Sequence, residues 1–176
     1  MFEKGTKMEV VGFRELNLFQ GTARGSVFHP FVYNSTLGSR VVGLCVMDRC
    51  GVERESHAYF NGGCEFIPKA GFTDFCTRAV YKDEEYVASR GLSLSSLESR
   101  SMEKLGKKAV VSLSLGEGRV LLSGVHPEMD VEYLKREEYS NEQWKAMLKY
   151  QDVQRELMRD FIAFLLQCNS NSKSKM

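Results

Sequence analysis

At 176 residues the chain can hold one domain with a sizeable core, and 43% apolar with 11% aromatic content excludes a disordered polymer. With 24 basic against 23 acidic side chains the net charge is +1, so charge argues for no nucleic-acid partner, and no apolar run approaches the roughly 20 residues of a membrane span. Five scattered cysteines (Cys45, Cys50, Cys64, Cys76, Cys168) suit reduced thiols in the cytoplasm, and without a Cys-x-x-Cys pair or clustered histidines no metal site is expected.

The first seven residues carry no h-region and do not read as a signal peptide. The stretch 8–16 alternates loosely, compatible with a short strand or an irregular segment. Gln20-Gly21-Thr22-Ala23-Arg24-Gly25-Ser26 is punctuated by glycine and reads as a loop. It is either a plain connection or an anion cradle of backbone N–H groups, without the Lys-Ser/Thr ending of a P-loop. Residues 41–47 (VVGLCVM) predict a strand, 48–51 a turn, and 56–60 (SHAYF) a second strand. Asn61-Gly62-Gly63 is the strongest turn signal of this half. Residues 64–67 and 77–81 predict further strands, and the rhythm of short strands and turns is antiparallel in character.

The serine-rich, charged stretch 89–107 reads as an exposed loop. Residues 108–115 and 119–123 predict a hairpin through Gly116-Glu117-Gly118. Gly124 ends the second strand and delivers His126 and Glu128 just past its carboxyl end, with Pro127 stiffening the link. An imidazole two residues from a carboxylate supplies a base and the group that orients it; a surface turn that merely contains both is the competing reading. Ser140 with Gln143 has the capping-box spacing. Trp144, Met147, Leu148, Leu157, Phe161, Ile162, Phe164 and Leu165 then recur mainly at helical spacing, predicting an amphipathic helix over 141–167 that serves as core or docking surface. A polar tail, 169–176, has no reason to order.

Three blocks in order carry a resemblance: Phe19-Gln20-Gly21-Thr22-Ala23-Arg24-Gly25, Tyr59-Phe60-Asn61-Gly62-Gly63, and Gly118-Arg119-Val120-Leu121-Leu122-Ser123-Gly124 followed by His126-Pro127-Glu128. Over roughly residues 13–134 the chain resembles the amino-terminal domain of eukaryotic biotin–protein ligases, itself similar to class I glutamine amidotransferases. The resemblance implies an α/β, flavodoxin-like domain with a mixed sheet, the 108–123 hairpin near its centre and the long C-terminal helix on one face. It divides the chain into an amidotransferase-like part (1–139, incomplete at its N-terminus), the helix (140–168) and the tail. It also implies that His126 and Glu128 correspond to the histidine and glutamate of a Cys-His-Glu triad, with Gly21, Thr22, Arg24, Gly25, Tyr59, Asn61, Gly62 and Gly63 lining the cleft.

The family's nucleophilic cysteine sits on a strand-to-helix elbow between glycines, upstream of the first block, and the sequence given begins after that point. Cys45 and Cys64 each lack the second glycine and continue strands, so both read as buried strand residues, and no cysteine sulfur is expected within about 4 Å of the His126 ring. Biotin and ATP are implied only for a parent ligase that attaches biotin to carboxylases; no cofactor is expected in this chain. Three readings follow: a non-catalytic remnant serving interdomain or regulatory contacts, a cysteine-dependent glutamine amidohydrolase using His126 and Glu128, or an interaction module acting through helix 141–167. The partners expected are the ligase catalytic domain, another protein or a second copy, since missing upstream strands would expose apolar surface. Nucleic acid and membrane are not expected.

Overall fold

The computed structural model describes residues 12–15, 18–28, 36, 39–47, 51–82 and 106–166; the expected 89–107 loop falls almost wholly outside them, and the 169–176 tail entirely so. The strands are β1 (Gly12–Glu15), β2 (Gly21–Gly25), β3 (Arg40–Met47), β4 (Glu53–Phe60), β5 (Cys64–Pro68), β6 (Cys76–Lys82), β7 (Lys108–Leu115) and β8 (Gly118–Ser123), and one long helix, α1, spans Asn141–Leu166. They form a three-stranded sheet, ordered β1-β2-β5, and a five-stranded sheet, ordered β4-β3-β6-β7-β8. The α/β content and the long C-terminal helix agree with the sequence.

Three expectations need correcting. Every pairing among the described strands is antiparallel, so the sheet is not mixed. Turns as short as 116–117 join antiparallel neighbours, whereas a parallel pair needs a crossover of a dozen or more residues. The β7–β8 hairpin closes with Leu115 opposite Gly118 and Gly116 at φ +60°, yet it lies at one end of the sheet order rather than near its centre. Residues 21–25 are a strand, not a loop. Gly21 pairs with Pro68, and a Cβ there would stand 2.3 Å from the Ile67 carbonyl oxygen. The glycine serves a close backbone approach, not a turn.

Alternation on β3 buries Val42, Leu44 and Val46 on one face, where they meet Phe60 of β4, Tyr81 of β6 and Val110 of β7. Val111 turns to the other face and joins Phe19 and Phe66 in a second core. Residues 109–113 are therefore all buried, because each face of β7 has a core against it. Phe19 meets Phe66, Phe72 and Phe75 edge-on at 5.5–6.0 Å between ring centroids.

The two sheets meet at glycines. A Cβ on Gly63 would stand 1.8 Å from the Gly124 oxygen, and one on Gly124 would stand 2.0 Å from the Cys64 oxygen. The Tyr81 hydroxyl lies 2.8 Å from the Cys64 oxygen and 2.9 Å from the Gly124 oxygen, sharing its one proton between them. Helix α1 starts at the reciprocal capping box: the Ser140 N–H donates to Gln143 Oε1 at 2.8 Å and the Gln143 N–H to Ser140 Oγ at 3.2 Å. It then runs along β4, packing also on β3 and β8, and inserts Leu157 and Phe161 into the first core. Leu148, Ile162 and Leu165 of the expected apolar stripe remain exposed. Among the described residues no helix is long and apolar enough to cross a membrane.

Candidate functional site

After β8 the chain is pinned at each step. The Gly124 N–H donates to the Ala109 oxygen at 2.8 Å, and the His126 N–H donates to the Tyr59 oxygen at 2.8 Å, forming an isolated antiparallel bridge to the edge of β4. The Met129 N–H returns to the His126 oxygen at 3.2 Å, closing a turn around Pro127 and Glu128. His126 Nδ1 lies 2.9 Å from Glu128 Oε1, with the two side chains 41% and 51% exposed. A carboxylate on Nδ1 fixes the ring and leaves Nε2 as the nitrogen that can exchange a proton with a bound molecule.

Beneath this corner lies a buried polar frame. The Tyr59 N–H donates to Gln154 Oε1 at 2.5 Å, and Gln154 Nε2 donates to the Met129 oxygen, so one amide ties β4, the His126 turn and α1 together. The Tyr59 hydroxyl donates to Ser39 Oγ at 3.0 Å and lies 3.1 Å from the Tyr139 hydroxyl; burial and that contact push the Tyr139 phenol up from its ordinary value. Beside the turn, Asp130 accepts from Arg155 Nε at 2.6 Å and from the Glu132 N–H at 3.1 Å, and these bonds hold its carboxyl below the usual carboxylate range. A hollow of 190 Å³ separates Glu128 and Met129 from Gln151, Arg155 and Met158 of the helix.

The structure brings some of the predicted cleft residues to this corner. Tyr59 bridges His126, and Gly63 abuts Gly124, so the Asn61-Gly62-Gly63 turn (Gly62 at φ +69°) lies beside the strand end that carries the histidine. Gly25 pairs with Cys64 on the same side, and the Val27 N–H donates to the Gly63 oxygen at 3.1 Å. Gly21 lies at the other end of β2, about 13 Å along the strand from Gly25, with Thr22 next to it. Arg24 is engaged with Glu65, its Nε 2.7 Å from Oε1.

The described cysteines sit in strands. Cys45 Sγ lies 3.8 Å from Glu53 Oε2, and burial followed by the Glu53 charge raises its thiol. Burial pushes the Cys64 thiol up to about 11. Cys76 is exposed at the start of β6, while Cys50 and Cys168 lie outside the described residues. Among the described residues no group of three His, Cys, Asp or Glu side chains could hold a metal ion. Gln154, Tyr139 and Ser39 belong to no motif of the sequence. A signal for Gln154 exists: it stands midway between Met147 and Phe161 on the helix stripe, where periodicity calls for an apolar residue.

A family model described as biotin-protein ligase, N terminal, matches residues 1–176. The biotin–protein ligase of Schizosaccharomyces pombe is 29% identical over 125 residues, which is 71% of this chain and 17% of that protein. The chain thus spans less than a fifth of the length of this relative. No solved structure matches the chain.

Proposed function

The chain belongs to the biotin-protein ligase N-terminal family, and from that premise we propose that its His126 corner is the remnant of an amidotransferase-like triad, without catalysis of its own, serving contact with or regulation of a ligase. The parent protein would attach biotin to carboxylases, with biotin and ATP bound outside this chain. The observation that carries the reading is the state of Cys64. Its strand abuts the His126 corner through the Gly63–Gly124 junction, but its thiol is pushed up to about 11. A nucleophilic cysteine needs its pKa lowered and a place on a sharp turn; Cys64 has a raised one and a place in β5. The exposed apolar end of α1, with Ile162, Leu165 and Leu166, supports a protein partner as what this domain meets.

One observation favours the enzyme reading. The 2.9 Å His126–Glu128 pair is the base-and-orienter half of a cysteine hydrolase. Incubating the chain with glutamine and following ammonia release separates the two readings. We expect release no faster than from the His126→Ala variant. Saturable hydrolysis that His126→Ala and thiol alkylation both abolish would restore the amidohydrolase.

A further inference from the structure

Away from the His126 corner, a cleft of 740 Å³ opens between the start of β6, the middle of β7 and the last turns of α1. Thr77 pairs with Val111 and Ala79 with Val110, so Arg78 is the extra residue of a β-bulge, a device that re-aims a side chain. Its guanidinium lines the cleft 4.2 Å from the Phe164 ring centroid, and its Nε donates to Ser112 Oγ at 2.8 Å. Ser112 is buried; its oxygen accepts that bond and its hydroxyl keeps a proton to give. Arg119 is engaged elsewhere. Its Nη1 donates to the Phe164 backbone oxygen at 3.2 Å and it has a further partner besides, so its part here is to hold Phe164 in place. Among the described residues no carboxylate pairs with Arg78; the charges that act on it are those of Cys76 and Arg119. Asp74 borders the cleft, but it is exposed and is not one of those charges.

A half-buried guanidinium has lost part of its hydration, which a bound anion replaces. Ser112 takes up Nε, and the terminal nitrogens that are left form one planar fork, which matches the two oxygens of one carboxylate. The volume falls within the roughly 300–1,000 Å³ of small-molecule sites, and Phe75, Leu113 and Phe164 supply an apolar wall. We propose that this cleft binds a small carboxylic acid with an apolar body, its carboxylate on the terminal nitrogens of Arg78 and the Ser112 hydroxyl and its body along Phe75, Leu113 and Phe164. The ligand would bridge β6 to the end of α1, because the ring beside Arg78 belongs to the helix.

Calorimetric titration of the intact chain at low ionic strength with phenylbutyrate, its neutral counterpart phenylbutanamide and acetate tests this, alongside amide-shift mapping on the unsubstituted chain. We expect saturable binding of phenylbutyrate, about tenfold tighter than the amide, which keeps the apolar body and loses the charge-assisted bonds. Acetate keeps the charge and loses the body, and should not saturate at the same concentrations. Shifts on adding phenylbutyrate should centre on residues 76–78, 112–114 and 164. Arg78→Gln should bring the acid down to the level of the amide and leave the amide within about twofold of its own affinity, with Arg78→Lys recovering part of the preference. No saturation by phenylbutyrate at millimolar concentration, equal affinity for acid and amide, or shifts centred elsewhere would overturn the proposal. Should Arg78→Gln fail to fold, the acid–amide comparison and the mapping, both on the unsubstituted chain, decide.

Discussion

At the Gly63–Gly124 junction two backbones touch with no side chain between them, whereas along the outer edge of β4 the helix meets the sheet through side chains that hydrogen-bond and fill space. The first contact depends on what is absent: a single Cβ on Gly63 would lie 1.8 Å from a carbonyl oxygen. The second depends on what is present: Gln154 accepts from the Tyr59 N–H, Leu157 and Phe161 enter the core, and Arg54 pairs with Asp160. A contact of the first kind has no intermediate state, because backbone cannot be shortened. The second kind can lose one member and keep the rest. His126 stands where the two meet, with Gly124 two residues before it and Tyr59 bonded to its amide.

The difference is broken most directly at the junction. Gly63→Ala should destabilise the chain by more than about 3 kcal/mol or prevent folding, since relief of the clash must move one sheet against the other. Urea unfolding followed by circular dichroism measures this, and a loss under about 1 kcal/mol would show that the sheets slide freely. On the helix side, Gln154→Ala leaves the Tyr59 N–H and the Met129 oxygen without their partner and should lower stability by about 1–3 kcal/mol in the same assay. The smallest effect is expected at His57, whose ring stacks on Tyr150 of α1 at 3.8 Å and 11°. Burial holds His57 below its ordinary 6.5, against the pull of Glu55 and with help from Lys149 and Lys82. The folded state then binds fewer protons than the unfolded one, so this contribution is fully present above the unfolded pKa and is lost as pH falls from there through the folded one. The unfolding temperature should drop between about pH 7 and pH 5, and His57→Phe should flatten that drop.

The same contrast explains how far the sequence could be read. Features that local chemistry decides were legible. The short apolar run 41–47 gave β3, the glycine at 116 gave the hairpin tip, and the Ser140/Gln143 spacing gave a capping box that forms with both of its bonds. Features that depend on what lies opposite were not. The glycines of 21–25 suggest a loop because glycine marks positive φ, yet Gly21 is there to let Ile67 and Pro68 approach. The hairpin's place at the end of the sheet depends on partners that the hairpin's own residues do not specify. At the candidate site the His126–Glu128 proximity follows from a two-residue spacing, but Gln154 acts through Tyr59, 95 positions away in the chain.

The bridge between His126 and Tyr59 separates the fate of a side chain from that of its own amide. The imidazole is in contact with water, while the N–H of the same residue is tied to the edge strand at 2.8 Å. Its hydrogen can exchange with solvent only when the turn lifts from β4, an opening that strains the Gln154 link to Met129 as well. Deuterium uptake at that one amide therefore reports the opening of the helix seam, not the motion of an exposed loop. A protein that settled on α1 and held it down would slow the exchange at His126 without ever touching its ring.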